Sequence, residues 1–126
     1  TEYSFYFWDI TLRRAQLAAR MTDFVEIMAP CFKVDGFQHF SPTFAENTSG
    51  CGLEWLWKKI AIRQNIFRFG IIDASPVFHT RPVGSAGHGG SAPGVEREMP
   101  DLLRKHSLQA TQPITLEELR FEESHG

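Results

Sequence analysis

The sequence lacks the long apolar runs and the strong charge bias that mark several classes of protein. Its apolar runs are only a few residues long, so no transmembrane helix is predicted. Lys and Arg number 13 against 15 Asp and Glu, a net charge of -2, so no basic surface for nucleic acid or for an anionic membrane is expected. No charged start precedes an apolar segment, so no signal peptide is predicted. We therefore expect a cytoplasmic protein with neither a membrane span nor a nucleic-acid partner.

Cysteine is scarce, and the common catalytic and metal-binding signatures are missing. Cys31 and Cys51 form no CxxC pair, and two reduced thiols are favoured over a disulfide or a metal pair. The chain has no HExxH, no two-Cys-two-His set, no GxSxG and no Asp-x-Asp, and its glycines form neither GxGxxG nor a Walker loop. Hydrolytic metalloenzymes and serine hydrolases therefore lose support.

Hydrophobic and aromatic residues are plentiful. They make up 42% and 13% of the 126 residues, and Phe occurs 11 times. This composition is typical of a globular chain with one core and at most one domain. The start is unusually aromatic for a free terminus (Tyr3-Ser4-Phe5-Tyr6-Phe7-Trp8). We therefore expect the C-terminal portion of a longer protein, or a truncated gene product.

Residue patterns predict a sequence of short helices and strands. Residues 3–8 fit a strand or an extended segment, and residues 10–20 fit either a short helix or an extended crossing. A strand is predicted at 22–32, a short helix at 33–40 that Ser41-Pro42 ends, and a loop at 43–48. The later predictions are a buried strand at 69–73 with an extension at 76–79, a Gly-rich loop at 84–94, a helix at 95–106 and a final helix after Pro113 that a Thr115–Glu118 capping box opens.

The clearest helix is predicted at residues 52–64. Its apolar residues recur at i, i+3, i+4, i+7 and i+8, and they are Leu53, Leu56, Trp57, Ile60 and Ala61. Ser49 or Gly50 is placed to cap this helix. Glu54 lies in its first turn, where the helix dipole favours an anion. Trp55 lies off the apolar stripe, so it either lines a cleft or packs against a neighbouring element.

Several polar side chains are candidates for chemistry. The carboxylates are Glu26, Glu46, Glu54 and Asp73. Glu26 either faces outward in a salt bridge or points into a cleft, because buried carboxylates are rare unless paired. His79 is either a hydrogen-bonded structural residue or a ligand. Arg81 follows on the same side of an extended segment, and the two together suit an anion such as a diphosphate.

Three segments together resemble the C-terminal half of an uncharacterised family of bacteria and plants, domain of unknown function seven hundred and seven. They are Phe24–Pro30, Ser49–Trp57, and Ile72-Asp73 with His79–Pro82. The family looks like a glycosyltransferase of the GT-A type. The resemblance implies an α/β fold: a partial GT-A domain (Rossmann-like), with a mixed sheet and flanking helices, over residues 1–84. A Gly-rich loop at 85–94 and a C-terminal helical tail at 95–126 complete the expected organisation.

The same resemblance implies roles for individual residues. Glu54 stands at the acceptor-side acid and His79 at a late ligand of a divalent metal, Mn or Mg. Arg81 lies near the diphosphate, and Trp55, Gly50 and Gly52 also lie on the substrate side. A nucleotide sugar and a glycan or small acceptor are the implied partners.

Activity from this chain alone is not expected. The Asp-rich motif and the nucleotide-binding half of the family are absent from the sequence, so the chain is expected to form one wall of a site. A different hypothesis is a non-catalytic carbohydrate-binding or interaction module, with Trp55, Trp57 and the Gly-rich loop as its surface. An inactive truncated product is the third.

Overall fold

The computed structural model describes residues 9–65, 69–78 and 94–122, and this part of the chain is mixed α/β. Short 3-10 helices lie at Asp9–Thr11 and Ser41–Ala45. The longer elements, in chain order, are β1 (Leu17–Thr22), α1 (Val34–Phe40), α2 (Leu53–Gln64), β2 (Phe69–Ile71), α3 (Val95–Lys105) and β3 (Thr115–Arg120). None of the helices in the described ranges is long and apolar enough to cross a membrane.

The chain divides into two compact units. The first unit comprises Thr1–Val25, Arg68–Ala86 and Pro113–Gly126, and it contains the sheet. The second comprises Glu26–Phe67 and Gly87–Gln112, and it contains the three α-helices. The segments of the two units alternate along the chain.

The sheet of the first unit has the strand order β2-β1-β3, and both pairings are antiparallel. Arg20 pairs with Ile71 on one side of β1 and with Glu118 on the other. A register irregularity between Leu17 and Ala19 interrupts the alternation of β1, so Leu17 and Arg20, three positions apart, are both buried. A mixed sheet was predicted, and no parallel pair occurs among the described strands.

The final helix predicted after Pro113 is wrong, because Thr115–Arg120 is the strand β3. Pairing with β1 satisfies its backbone, and tertiary contacts of this kind override helix propensity. Asp23 aligns the start of the pairing: its Oδ1 accepts the Ile114 N–H at 2.9 Å, and its own N–H donates to the Ile114 carbonyl. Thr115 and Glu118 therefore form no capping box.

The strand predicted at residues 22–32 is also wrong. The strand β1 ends at Thr22, and no strand occurs at residues 23–33. The Thr22 hydroxyl donates to the Phe24 carbonyl at 2.7 Å, and Phe24 is buried at 1% exposure. Phe24 alone of this apolar run is buried, Val25 and Ile27 are half-buried, and Met28 is exposed. Periodicity cannot distinguish such an irregular apolar run from a strand. Of the two possibilities for residues 10–20, the extended one holds from Leu17 onward.

A buried ion pair lies at the centre of the first unit. The Arg20 Nε donates to Asp73 Oδ2 at 2.9 Å, and its Nη2 donates to Asp73 Oδ1 at 3.1 Å. Both side chains are 0% exposed. Arg20 also bonds the Leu12 carbonyl, and the Arg14 N–H donates to Asp73 at 2.7 Å. Burial alone raises the pKa of Asp73, but the bonds from Arg20 and Arg14 outweigh it and hold that pKa below its usual value.

The residues of β2 and those that follow it are more exposed than predicted. The strand covers Phe69–Ile71 only, and Ile72 is 63% exposed. Residues 76–78 are exposed and have no regular structure. His79, the last residue of the predicted extension, lies outside the described residues, as do residues 3–8 and nearly all of the Gly-rich loop.

The second unit has an aromatic cluster, defined as Phe32, Phe37, Phe40, Phe44 and Trp57. The helix predicted at 33–40 is confirmed as α1, with Phe40 buried and Phe37 42% exposed. After α1 the chain continues as the 3-10 helix Ser41–Ala45, whose first turn accommodates Pro42 because no N–H is needed there. The helices at 52–64 and 95–106 are confirmed as α2 and α3, and Pro100 does not divide α3.

Candidate functional site

The loop before α2 is fixed by two side chains. Asn47 accepts the Gly50 N–H at 2.8 Å and donates to the Cys51 carbonyl at 3.0 Å. From α3, the Glu98 carboxylate accepts the N–H groups of Thr48 and Ser49 at 3.0 and 2.8 Å. Hydrogen bonds from the Ser49 side chain and these two N–H groups lower the pKa of Glu98. These bonds connect the loop before α2 to Asn47 and to α3.

Gly50 and Gly52 are explained by backbone geometry and packing. Their φ angles are 79° and 90°, which an L side chain rarely adopts. A Cβ at Gly50 would lie 2.6 Å from Ile27 Cδ1, and one at Gly52 would lie 3.2 Å from Leu102 Cδ2. The N-cap residue is Gly52 with no side-chain cap bond, so the predicted cap at Ser49 or Gly50 is wrong.

Gly52→Ala is expected to destabilise the second unit by about 1–2 kcal/mol, because the Cβ of alanine is strained in the left-handed backbone conformation of this position. The matched control is Gly36→Ala in α1, where a Cβ would meet nothing within 4 Å. That change is expected to be neutral or to stabilise by up to about 1 kcal/mol, from helix propensity. Urea unfolding of both variants measures the difference, and equal free energies of unfolding would contradict the account of Gly52.

Glu54 is a buried carboxyl in the first turn of α2. It is 8% exposed, and its Oε2 atom has no hydrogen-bond partner in the part of the chain that the structure describes. The pKa of Glu54 is raised from 4.5 to about 7. Burial is the main cause and the charge of Glu26 adds to it, while hydrogen bonds from the N–H groups of Glu54 and Gly52 act in the opposite direction. A carboxyl that titrates near neutral pH is suited to proton transfer.

The raised pKa of Glu54 links stability to pH. The Glu54 carboxyl binds its proton more tightly in the folded state than in the unfolded state. Protonation of Glu54 therefore stabilises the fold, and this contribution is fully present below pH 4.5. The effect is lost as pH rises through about 7. The difference between the two pKa values limits the contribution of Glu54 protonation to the free energy of unfolding to roughly 3 kcal/mol.

The other candidate carboxylates have distinct environments. Glu26 is half-buried in a turn, and its Oε2 accepts the Met28 N–H at 2.7 Å. Glu46 accepts a hydrogen bond from Lys105 Nζ at 2.7 Å and lies 3.2 Å from His106 Nε2. The hydrogen bond from Lys105, together with the neighbouring His106, lowers the pKa of Glu46. The charge of Glu26 thus acts on Glu54, while Glu46 and Asp73 are held in ion pairs.

Trp55 and Trp57 are both buried. Trp55 is 3% exposed and Trp57 is 1% exposed. Of the two alternatives predicted for Trp55, it packs against neighbouring residues and does not line a cleft, and neither ring has a face exposed to a ligand. Lys58 Nζ lies 6.0 Å from the Trp55 ring centroid. His79 and Arg81, predicted for the metal and the diphosphate, lie outside the described residues.

A shallow cleft of about 630 Å³ lies in the second unit, and sequence reasoning missed it. Its wall from α3 consists of Glu98, Asp101, Leu102 and Lys105, and its other lining residues are 44–48. The four α3 residues fall at i, i+3, i+4 and i+7, which places them on one helix face. This spacing of the four α3 residues is the feature of the sequence from which one wall of the cleft could have been predicted. Glu54 does not line this cleft.

Residues 9–65, 69–78 and 94–122 contain no cluster of side chains suited to bind a divalent metal. No group of three or more His, Cys, Asp or Glu side chains is placed there to hold one. His79 lies outside these ranges, so its role as a metal ligand stays a prediction.

No family model, curated protein or solved structure matches this chain. The assignment of the candidate site therefore rests on the geometry of this structure alone.

Proposed function

We propose that this chain forms the acceptor-side part of a glycosyltransferase-like protein, in which Glu54 is the acid–base group. One observation carries the proposal. Glu54 is a buried carboxyl with an unpartnered Oε2 among the described residues and a pKa of about 7. A general base works best when its pKa lies near the operating pH.

Glycosyl transfer gives this carboxylate a defined task. The acceptor hydroxyl attacks the anomeric carbon of a nucleotide sugar, the bond from that carbon to the diphosphate oxygen breaks, and the nucleoside diphosphate leaves. The ionised Glu54 takes the hydroxyl proton, and Oε2 has a lone pair free for that hydrogen bond. Because Oε2 is covered in this structure, the acceptor reaches it only after a local displacement.

The donor side of the proposal comes from the resemblance. It places a divalent metal, Mn or Mg, at His79 and the diphosphate at Arg81, within a partial GT-A fold. When bound, such a metal neutralises charge on a departing diphosphate. The described antiparallel sheet supports only the broader mixed α/β class, and the donor-binding residues are proposed to come from the same longer protein.

Glu54→Gln is expected to lower the transfer rate by at least about 100-fold, because it removes the base while keeping the side-chain shape. Transfer is measured with a panel of nucleotide sugars in the proposed longer protein that contains this chain. Calorimetry measures the binding of UDP and GDP with and without Mn²⁺. Nucleotide binding is expected to be unchanged in Glu54→Gln and weakened in His79→Ala.

The matched control is Glu96→Gln, an exposed acid in the first turn of α3, which is expected to retain the full rate. A Glu54→Gln variant that also retains it would sink the assignment of the base. Mn²⁺-dependent nucleotide binding that His79→Ala leaves unaffected would remove the metal role.

The rival hypothesis of a carbohydrate-binding module loses its aromatic platform. Its predicted surface consists of Trp55, Trp57 and the Gly-rich loop. Both indoles are buried in the second unit, and nearly all of the loop lies outside the described residues. An aromatic ring stacks on a sugar through an exposed face, so the burial of Trp55 and Trp57 removes one support of the binding-module hypothesis.

A further inference from the structure

The strand β3 forms one edge of the sheet in the first unit. It is the last strand in the order β2-β1-β3, and among the described strands it pairs with β1 alone. Its six residues include neither Pro nor Lys, the residues that often prevent further pairing at an edge. All residues from 116 to 122 are exposed, so side chains on both faces of the strand are open to solvent. An edge of this kind is suited to pair with another strand.

The two faces of β3 differ in chemistry. Residues 117–120 pair with β1 without an inserted residue of their own, so their side chains alternate between the faces. One face carries Glu118 and Arg120, whose side chains are 40% and 67% exposed and whose nearest charged atoms are 3.5 Å apart. The other carries Leu119, which is 41% exposed, and Phe121, directly after the strand, is 53% exposed. The edge thus offers both charges and apolar surface to a partner.

We propose that two copies of this chain dimerise through antiparallel pairing of their β3 strands about a twofold axis at Leu119. Glu118 of each copy then lies opposite Arg120 of the other, which gives two cross-strand pairs of opposite charge. On the second face Leu119 meets its own counterpart, and continued pairing brings Phe121 next to Leu119 of the other copy. The two three-stranded sheets join into one, and the β3 edge of each copy is covered.

The charges of β3 select this register. Opposite residues of an antiparallel pair share a face, so a twofold axis normal to the sheet passes where one residue meets its own counterpart. At Glu117 or Glu118 the axis would set two carboxylates against each other, and at Arg120 it would set two guanidinium groups against each other. Like charges directly opposite destabilise a strand pair. Of the positions 117–120, Leu119 alone avoids this, and there the strand is complementary to itself.

Sedimentation equilibrium of the full chain measures the association. A single strand pair covers less surface than a standard interface of about 1,600 Å², so we expect a dimer that forms at roughly tens to hundreds of micromolar chain. In the same samples, the exchange protection of the amides of residues 117–121 is expected to rise with concentration. A chain that remains monomeric up to about 1 mM would overturn the proposal.

A pair of charge-reversal variants tests the register. Glu118→Arg sets Arg against Arg in both cross-strand pairs, and Arg120→Glu sets Glu against Glu. Each variant alone is expected to raise the dissociation constant of the dimer at least about tenfold. An equimolar mixture of the two is expected to dimerise as the unchanged chain does, because every Arg then lies opposite a Glu. A mixture that stays as weakly associated as the separate variants would contradict this pairing.

The control is Asp101→Arg, the same change of charge at an exposed residue of α3 in the second unit. It is expected to leave the dissociation constant unchanged. Charge reversals in β3 that also leave it unchanged would place the contact on another surface and refute the proposal. Glu118→Arg also removes the pair with Arg14, so circular dichroism checks its fold. If that variant folds poorly, Arg120→Glu and the exchange of the unchanged chain decide the outcome.

Discussion

Arg20→Met is expected to destabilise the first unit by about 3–5 kcal/mol, because it leaves the Asp73 carboxylate buried without its charged partner. Arg20 and Asp73 are both 0% exposed in their side chains and share two hydrogen bonds, at 2.9 and 3.1 Å. Water cannot replace the guanidinium at that depth. The loss also frees the Leu12 carbonyl, which Arg20 Nη2 otherwise bonds at 3.0 Å.

The measurement is urea unfolding together with hydrogen exchange of β1 and β3, which reports on the first unit directly. The double variant Arg20→Met with Asp73→Asn is expected to recover about 2 kcal/mol, because the amide is neutral and still accepts the Arg14 N–H. Costs of the two single changes that simply add in the double variant would contradict a coupled pair.

The matched control for this pair is Arg14→Gln. Its guanidinium bonds Glu118 at 2.9 Å at the surface, with the two side chains 43% and 40% exposed. A surface pair of this kind contributes at most about 1 kcal/mol. The contrast between Arg20 and Arg14 therefore measures what burial adds to an ion pair in the same unit.

Trp57→Ala is expected to cost the second unit about 3–5 kcal/mol, since it removes the centre of the aromatic cluster and leaves a cavity. Trp57 is 1% exposed, and its ring centroid lies 5.2 Å from Phe32 and 5.9 Å from Phe44, with edge contacts in both pairs. Its Nε1 also donates to Thr43 Oγ1 at 2.8 Å, and that hydroxyl donates to the Phe40 carbonyl. The substitution breaks packing and this short chain of hydrogen bonds together.

Thermal and urea unfolding followed by near-ultraviolet circular dichroism measure the loss. Ile62→Ala is the control on the same helix, because Ile62 is 58% exposed and its truncation should change stability by no more than about 0.5 kcal/mol. Trp57→Phe keeps a ring in the cluster and is expected to fall between the two. A Trp57→Ala variant as stable as Ile62→Ala would refute the central role of the cluster.

The helices of the second unit could be predicted because their signals are local. In α2 the apolar spacing that begins at Leu53 predicted the face that packs, and Leu53, Leu56, Trp57 and Ala61 are buried as expected. The position of Glu54 in the first turn was equally predictable. Its burial was not, because a charged residue one step from an apolar stripe usually faces water. The charge of Glu26 on Glu54 was hidden as well, since 28 positions of chain separate the two residues.

The strands show where local reasoning fails. Thr115–Arg120 has the composition of a helix, and it is a strand because β1 offers its backbone a partner. Residues 22–32 have the composition of a strand, yet the chain beyond Thr22 is irregular and buries only Phe24 of its apolar run. A helix satisfies its hydrogen bonds within itself, whereas a strand depends on a segment that can lie anywhere in the sequence.

The sequence by itself determined the mixed α/β class, the three helices and the acid at the start of α2. Only the tertiary structure decided that Asp73 joins Arg20, 53 positions away, in a buried pair, and that Glu54 lies buried with the charge of Glu26 acting on it. The physical reason is the same in both cases. Burial and charge pairing belong to the space between distant segments, and no periodicity within one segment encodes them.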